Sequence, residues 1–205
     1  MKRFVDIVIA SIAILFLSPV FLFVAYKVRK HLGSPIFFCQ ERPGKDGKIF
    51  KMIKFRSMKN ALDPQGNLLP DEQRITSFGQ KLRATTLDEM PQLFNVLKGD
   101  MSIVGPRPQM PEFLEYYTTD QMRRHEVKPG MTGLAQVSGR NNLSWEEKFN
   151  LDVQYVENHN ILLDFKIMLK TVDVMLKREG INAPNQTVGS SRFTGSESQS
   201  GSIVK

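Results

Sequence analysis

Two adjacent carboxylates, Asp88 and Glu89, stand near the start of the segment TTLDEMPQLFNVLKG, residues 85–99. An aspartate with an ordinary pKa of about 3.9 is ionised at neutral pH and can attack an electrophile without a base. The pair also fits a structural role, because acidic residues cap and stabilise helix N-termini. With Asp88 as the N-cap, Pro91 would lie in the first turn and Gly99 would end the helix. The spacing alone leaves both roles open.

Arg107 is well suited to bind phosphate, because it stands between Pro106 and Pro108. Proline fixes its own φ and restricts the residue before it, so this guanidinium extends from a stiff backbone. A guanidinium can donate two parallel hydrogen bonds to one phosphate group. We predict three further substrate-binding cations: Lys54, Arg83 and Arg140.

An uncharged apolar run, Ile7–Val24, precedes these residues and predicts insertion into a membrane. As a straight helix it would be about 27 Å long, barely the thickness of the hydrocarbon core. A cleaved signal peptide is the first alternative, since Lys2 and Arg3 precede the run. However, no small-x-small cleavage site follows it, so we expect the segment to be retained.

Pro19 lies near the middle of this run, where it removes a backbone donor and pushes Ser18 away from helical geometry. We therefore predict a break at Ser18 and Pro19. Cations flank the run on both sides: Lys2 and Arg3 before it, and Lys27, Arg29 and Lys30 after it. Such balanced charges suit a hairpin with both ends on one membrane face, although a kinked spanning helix remains the alternative.

The formal net charge of +7 indicates an anionic partner, which could be nucleic acid, acidic lipid or a phosphorylated substrate. We expect no nucleic-acid partner, because the basic residues are dispersed and no nucleic-acid-binding motif is recognised. P-loop and Gly-x-Gly-x-x-Gly fingerprints are missing as well. The single cysteine, Cys39, excludes an intramolecular disulfide and indicates a reducing cytoplasm. We expect Cys39 to be buried in a strand.

The remaining pattern predicts an α+β fold that is mainly α-helical. Residues 35–56 form a β-hairpin with a turn at Asp46-Gly47. We predict four helices beside the 85–99 segment: 71–83, 112–127, 144–157 and 161–177. The last helix is amphipathic and lysine-bearing, which suits either a membrane interface or a core-packed helix. We divide the chain into a membrane hairpin (1–30), a catalytic domain (31–181) and a flexible tail (182–205).

Several ordered motifs together closely resemble the bacterial sugar transferase family. They are Lys2-Arg3, Ser18-Pro19, Asp88-Glu89, LKGDMSIVGPRP at 97–108 and PGMTGLAQVSGR at 129–140. The resemblance covers about residues 1–180, to the minimal form of these monotopic phosphoglycosyl transferases, such as the initiating enzyme of Campylobacter-type N-glycan assembly. One departure is Leu134, where relatives commonly carry tryptophan.

The resemblance implies transfer of a phosphosugar from a UDP-sugar to polyprenol (undecaprenyl) phosphate through a covalent enzyme intermediate, with release of UMP. It implies Mg²⁺, with Asp88 as nucleophile and metal-binding residue, Glu89 as its catalytic partner and Arg107 as a substrate-binding residue. It also implies a re-entrant hairpin at the cytoplasmic face of the bacterial inner membrane. Contact with anionic lipids is expected from the lysine-bearing helix 161–177.

The sequence leaves the UDP-sugar undecided, with an N-acetylated sugar as first expectation and galactose or glucose as rivals. A homo-oligomer is compatible with the sequence but is not indicated by it. The alternative function is a membrane-tethered basic adaptor without turnover, which would bind acidic partners in a salt-sensitive way.

Overall fold

The computed structural model describes residues 1–139, 143–177, 193 and 195. The fold is α+β and mostly helical, as predicted. The helices are α1 (Lys2–Leu32), α2 (Asp71–Arg74), α3 (Ser77–Ala84), α4 (Gln92–Lys98), α5 (Thr119–Met122), α6 (Leu134–Ser138), α7 (Trp145–Asn158) and α8 (Ile161–Lys177). The strands are β1 (Phe37–Pro43), β2 (Ile49–Phe55), β3 (Ser102–Val104) and β4 (Gly130–Thr132), and 3₁₀ helices cover Lys45–Gly47, Leu87–Glu89, Pro111–Glu115 and Arg123–His125.

Helix α1 passes through Pro19 without interruption, so the predicted break in the helix is wrong. Proline at this position cannot donate a hydrogen bond to the carbonyl of Leu15. The hydroxyl of Ser18 donates to that carbonyl instead, at 2.8 Å. The Ser-Pro pair therefore keeps the helical turn satisfied at the point where we expected the helix to end.

The N-terminal end of α1 is bound to the rest of the protein by polar contacts. Asp6 is buried and accepts hydrogen bonds from the Ser102 hydroxyl at 2.9 Å and the Ile103 amide at 3.0 Å. Arg3 donates to the Leu97 carbonyl at 2.7 Å, at the C-terminus of α4. These contacts hold the start of the apolar helix against the body of the protein.

The other end of α1 is bound in the same way. Arg56 donates to the carbonyls of Leu32 and Ser34, the latter at 2.9 Å. Between the two ends, residues 15–19 are all exposed. Because five residues exceed one helical turn, the helix stands away from the body on every side at this point. Exposed large apolar side chains of α1 include Ile12, Leu15, Phe16, Leu22 and Phe23.

Strands β1 and β2 form the predicted antiparallel hairpin, with Gln40 opposite Met52. Asp46 and Gly47 both have positive φ, at 57° and 71°, which confirms the turn. Cys39 lies in β1 as expected but is exposed, contrary to our prediction. The prediction failed because an apolar residue in a short strand does not reveal which face of a two-stranded sheet is covered.

Two predicted helices are divided in the structure. The 71–83 helix is split into α2 and α3, since Thr76 leaves helical geometry and caps α3 through the Gly79 amide. In the 112–127 segment, two 3₁₀ helices flank α5, where Thr118 and Gln121 form a capping box. Helices α7 and α8 match their predictions, including the capping box of Ser144 with Glu147.

The two glycine-containing motifs meet at the parallel pair β3–β4. Gly105 donates its amide to Thr132 O at 2.9 Å, and Gly130 donates to Pro106 O at 2.9 Å. A Cβ added at Gly130 would lie 2.1 Å from the Gly105 nitrogen and 2.4 Å from Thr132 O. The close approach of these two backbones therefore requires glycine, and it fixes the segment that carries Arg107.

We expect Gly130→Ala to destabilise the protein by about 3 kcal/mol, because the new methyl group meets backbone atoms that cannot rotate away. Gly66→Ala is the matched control, since Gly66 has φ +86° but no atom within 4 Å of an added Cβ. Its cost should be about 1–2 kcal/mol from backbone strain alone. Thermal unfolding of both variants in detergent measures the difference, and equal melting temperatures would contradict the close approach.

Phe193 falls within the predicted flexible tail, yet its side chain is only 5% exposed. Its ring packs on Phe149 at 5.0 Å and Phe113 at 5.4 Å between centroids. Apart from Phe193 and Gly195, the predicted tail lies outside the described residues. At least one side chain of the tail segment is therefore part of an aromatic cluster on the body.

Candidate active site

Glu89 lies at the centre of a cluster of charges contributed by three parts of the fold. Lys54, from β2, donates to Glu89 Oε1 at 2.8 Å. Arg107, from the loop after β3, donates to both carboxylate oxygens, at 2.7 Å to Oε1 and 3.3 Å to Oε2. Three of the predicted site residues therefore form one connected group.

The charges of this group determine its protonation. Burial alone would raise the pKa of Glu89, but Arg107 and Lys54 more than offset it and hold that pKa well below its ordinary range. Glu89 in turn raises the pKa of Arg107. Glu89 and Arg107 are therefore both charged at neutral pH. The Arg107 side chain is still 45% exposed, so its outer face can reach a ligand.

Asp88 differs from Glu89 in its hydrogen bonding and in the direction of its pKa shift. It is 8% exposed, and its carboxylate makes no hydrogen bond with any residue that the structure describes. Burial and the nearby negative charge of Glu89 raise the pKa of Asp88 to about 6, against the opposing effect of the surrounding cations. A carboxylate that is ionised at neutral pH, poorly solvated and unbonded is a good nucleophile.

Asp88 is not the N-cap of the following helix, which was one of the two roles that the sequence left open. Asp88 and Glu89 lie in the 3₁₀ helix Leu87–Glu89, and α4 starts after Pro91, which is its N-cap. Thr86 has a positive φ of 55°, which reverses the chain between α3 and this short helix. Gly99 ends α4 in the left-handed conformation, as predicted.

Arg83 lies close enough for its charge to lower the pKa of Asp88, and its Nε donates to Ser57 Oγ at 2.9 Å. Arg140 lies outside the described residues. Arg42, in β1, was not predicted to lie near this group, yet its pKa is lowered to about 10 by burial and by repulsion from Arg107. Its only sequence signal was its place in a strand that pairs with the one carrying Lys54.

A magnesium site made by protein side chains alone is not formed, since the described residues contain no group of three or more His, Cys, Asp or Glu that could hold a metal. Mg²⁺ commonly binds through one or two carboxylates together with substrate phosphates. Asp88 fits this mode because its oxygens are unbonded, whereas both oxygens of Glu89 are occupied by cations. The residues present therefore suit an ion that arrives with a diphosphate.

We expect reactions that use the Asp88 carboxylate to slow as the pH falls through about 6, because protonation removes the nucleophile. Below that pH the rate should fall about tenfold per unit. Glu89 does not titrate in this range, since its pKa is lowered. Steady-state rates between pH 5 and 8 test this expectation, and a flat profile across that range would contradict it.

Comparison with known proteins assigns the class. Residues 1–178 match the bacterial sugar transferase family. The chain is 52% identical over 196 residues to the uncharacterized sugar transferase EpsL of Bacillus subtilis, covering 96% of both chains. It is 42% identical over 197 residues to the undecaprenyl-phosphate galactose phosphotransferase of Salmonella typhimurium, covering 88% of this chain and 41% of the relative. The protein belongs to the bacterial sugar transferase family.

A further relative is the UDP-glucose:undecaprenyl-phosphate glucose-1-phosphate transferase of Klebsiella pneumoniae, which is 40% identical over 182 residues. The match covers 83% of this chain and 39% of that relative. The chain thus spans about two fifths of the Salmonella and Klebsiella proteins but nearly all of EpsL. The narrower resemblance to a Campylobacter-type enzyme stays a prediction.

Proposed function

We propose that the protein is a phosphoglycosyl transferase that moves a sugar 1-phosphate from a UDP-sugar to polyprenol (undecaprenyl) phosphate through a covalent intermediate on Asp88. The observation that carries the proposal is the buried, unbonded Asp88 carboxylate beside the Lys54–Glu89–Arg107 group. The names of the Salmonella and Klebsiella relatives support the same reaction class.

In the first step an Asp88 oxygen attacks the phosphorus that bears the sugar. The bond from that phosphorus to the bridging oxygen breaks, and UMP leaves with the bridging oxygen and its electron pair. In the second step a phosphate oxygen of polyprenol phosphate attacks the same phosphorus. The bond to Asp88 breaks, which restores the carboxylate and gives a polyprenyl diphosphosugar.

The barrier to this reaction is the approach of one anion to another. Lys54, Arg107 and Arg83 place positive charge around Asp88 and can stabilise the charge that develops on the transferring phosphoryl group. Glu89 holds two of these cations in fixed positions, at 2.7 and 2.8 Å, and it keeps them beside Asp88 between turnovers. Its role is therefore to orient the cations.

A magnesium ion held by Asp88 and the substrate diphosphate would supply further neutralisation of phosphate charge. Because one set of cations serves both steps, UMP has to leave before the lipid phosphate enters. A covalent intermediate permits this order, since the phosphosugar stays on Asp88 while the two large anionic substrates exchange.

The proposed membrane arrangement is re-entrant, with both ends of α1 on the cytoplasmic side. Helix α1 is long and apolar enough to cross a membrane by length and composition, and only 11% of its most apolar window is buried. A crossing would separate its two ends by the membrane thickness. Yet Asp6 at one end and Arg56 at the other both tie α1 to the same body. We propose that α1, although continuous, bends within residues 15–19 at Pro19, so that these exposed residues reach deepest into the bilayer and both ends stay on one side.

Helix α8 supports the same placement. Its exposed side includes Leu162, Phe165, Leu169 and Val172, while Ile167 and Val174 face the body. An exposed apolar stripe with nearby lysines suits an anionic membrane interface. The proposed site thus lies at the height of lipid phosphate groups, at the cytoplasmic face of the inner membrane.

We expect an epitope placed before Met1 to be accessible only from the cytoplasmic side, because a re-entrant helix returns its start to that side. Met1 is 97% exposed, so a short extension should not disturb the fold. Protease protection in intact cells and in inverted vesicles reports the side. A chain tagged after Lys205 is the control, and protection of the two tags on opposite sides would contradict the re-entrant path.

Release of UMP on incubation with a UDP-sugar panel and polyprenol phosphate tests the proposed function. The panel includes UDP-galactose and UDP-glucose, which match relatives' names, and an N-acetylated UDP-sugar. We expect UMP together with a polyprenyl diphosphosugar from at least one donor. Salt-sensitive binding without UMP from any donor would favour the adaptor alternative instead.

A further inference from the structure

Arg124 is the most enclosed charged side chain near the candidate site. Its guanidinium lies beside the rings of Tyr117 and Phe149, 5.4 and 5.3 Å from their centroids. It donates to Asp152 Oδ2 from Nε at 3.1 Å and from Nη2 at 2.6 Å, and its Nη1 donates to the Tyr117 hydroxyl at 2.8 Å. The side chains of this ion pair are 1% and 3% exposed. Arg124 therefore has one fixed position.

The same guanidinium makes one contact that leads to the site. Nη2 of Arg124 also donates to the backbone carbonyl of Arg107, at 2.7 Å. Arg107 lies between two prolines, so its local backbone is stiff but has to be fixed relative to the body by its hydrogen bonds. Gly130 holds the preceding carbonyl, Pro106 O, at 2.9 Å. Arg124 binds the next carbonyl along the chain, which belongs to Arg107, and the Arg107 side chain donates to Glu89.

The buried Arg124–Asp152 ion pair is not well explained by a contribution to the stability of the fold. Removing two charges from water costs several kcal/mol per ion, and a buried ion pair can often be replaced by apolar residues without loss of stability. Asp152 Oδ1 is buried and has no hydrogen-bond partner among the described residues, so the pair is not fully compensated. The ion pair does fix the Arg124 guanidinium in the position from which it donates to the Arg107 carbonyl.

We infer that Arg124, held by Asp152, is a positioning residue for Arg107: it fixes the backbone from which the Arg107 guanidinium reaches Glu89 and the phosphoryl group. The inference rests on the proposed function. Arg124 does not touch substrate in this arrangement, since its side chain is only 1% exposed. Its effect on the reaction passes through Arg107 alone.

The test uses the double substitution Arg124→Met/Asp152→Leu, which removes both charges together and so avoids leaving an unpaired buried ion. We expect a folded protein whose kcat/KM for UMP release falls about 10- to 100-fold, as expected for a misplaced catalytic group. Arg124→Lys is the second variant, because it keeps the charge but loses the planar fork. Arg123→Met, at the exposed neighbouring position, is the matched control with wild-type activity.

A cycle with Arg107→Ala separates positioning from a general structural effect. If Arg124 acts through Arg107, the Arg124 substitutions should change kcat/KM less than about threefold once Arg107 is alanine. The inference would be overturned if the losses in kcat/KM from the Arg124 and Arg107 substitutions simply multiplied. Wild-type kcat/KM in the folded double variant would also overturn it. If the double variant does not fold, wild-type kcat/KM in Arg124→Lys would do the same. Lack of turnover by the wild-type protein would count against the proposed function, which keeps the two failures distinct.

Discussion

Asp88→Asn is expected to abolish turnover, with a loss of at least about 1,000-fold in kcat, because Asp88 is the proposed acceptor of the phosphosugar. The amide that replaces the carboxylate has nearly the same shape but is a poor nucleophile. The rate of UMP release in the presence of polyprenol phosphate measures the loss. Asp173→Asn, which removes an exposed carboxylate on α8, should leave the rate unchanged.

The same substitution is expected to stabilise the fold. A loss of activity in a variant more stable than wild type could not be explained by unfolding. The pKa of Asp88 in the folded protein is about 6, above its ordinary 3.8. Its contribution to the free energy of unfolding is therefore greatest below about pH 4 and is lost as the pH rises through about 6. Asp88→Asn should recover about 3 kcal/mol at pH 7.5.

Thermal unfolding at two pH values checks this expectation. Asp88→Asn should melt roughly 5–10 °C above wild type at pH 7.5, and the difference should shrink at acidic pH. A lower melting temperature than wild type at pH 7.5 would contradict the unfavourable burial of the Asp88 charge.

Arg107→Ala is the second large effect, with an expected fall of about 100-fold or more in kcat/KM. The guanidinium donates two hydrogen bonds to Glu89, and its positive charge lies close enough to lower the pKa of Asp88, where the phosphoryl group would develop negative charge. Arg107→Lys should recover only part of the activity, because an ammonium keeps the charge but lacks the bidentate geometry. Kinetics with the best UDP-sugar of the panel give the comparison.

Loss of Arg107 also leaves Glu89 with one cation instead of two, which should raise the pKa of Glu89 toward its ordinary range. If the paired variant Glu89→Gln/Arg107→Ala is no more impaired than Arg107→Ala alone, then Glu89 acts by orienting this cation. Activity of Arg107→Ala equal to that of wild type would contradict the role assigned to Arg107.

Local sequence signals predicted the elements with strong periodicity or capping. Helix α8 and the hairpin turn at Asp46-Gly47 follow from residues close together in the chain. The uninterrupted course of α1 through Pro19 was not predictable from proline's usual effect. It depends on the hydroxyl of Ser18, which satisfies the one carbonyl that proline leaves free.

The sequence indicated which residues belong to the candidate site but not which side chains contact each other there. Motif resemblance indicated Asp88, Glu89 and Arg107, yet nothing in the sequence showed that Glu89 would be shared by Arg107 and Lys54. These contacts join residues far apart in the chain, and they depend on the left-handed turn at Thr86. The raised pKa of Asp88 likewise comes from burial, which spacing does not reveal.

Intact-protein mass spectrometry after incubation with a reactive UDP-sugar, without polyprenol phosphate, shows whether the phosphosugar becomes attached to the protein. We predict release of UMP and a mass increase of one phosphosugar, located by peptide mapping on Asp88. Polyprenol phosphate added afterwards should remove the adduct. Release of UMP without any adduct, or an adduct formed in Asp88→Asn, would contradict a covalent intermediate on Asp88.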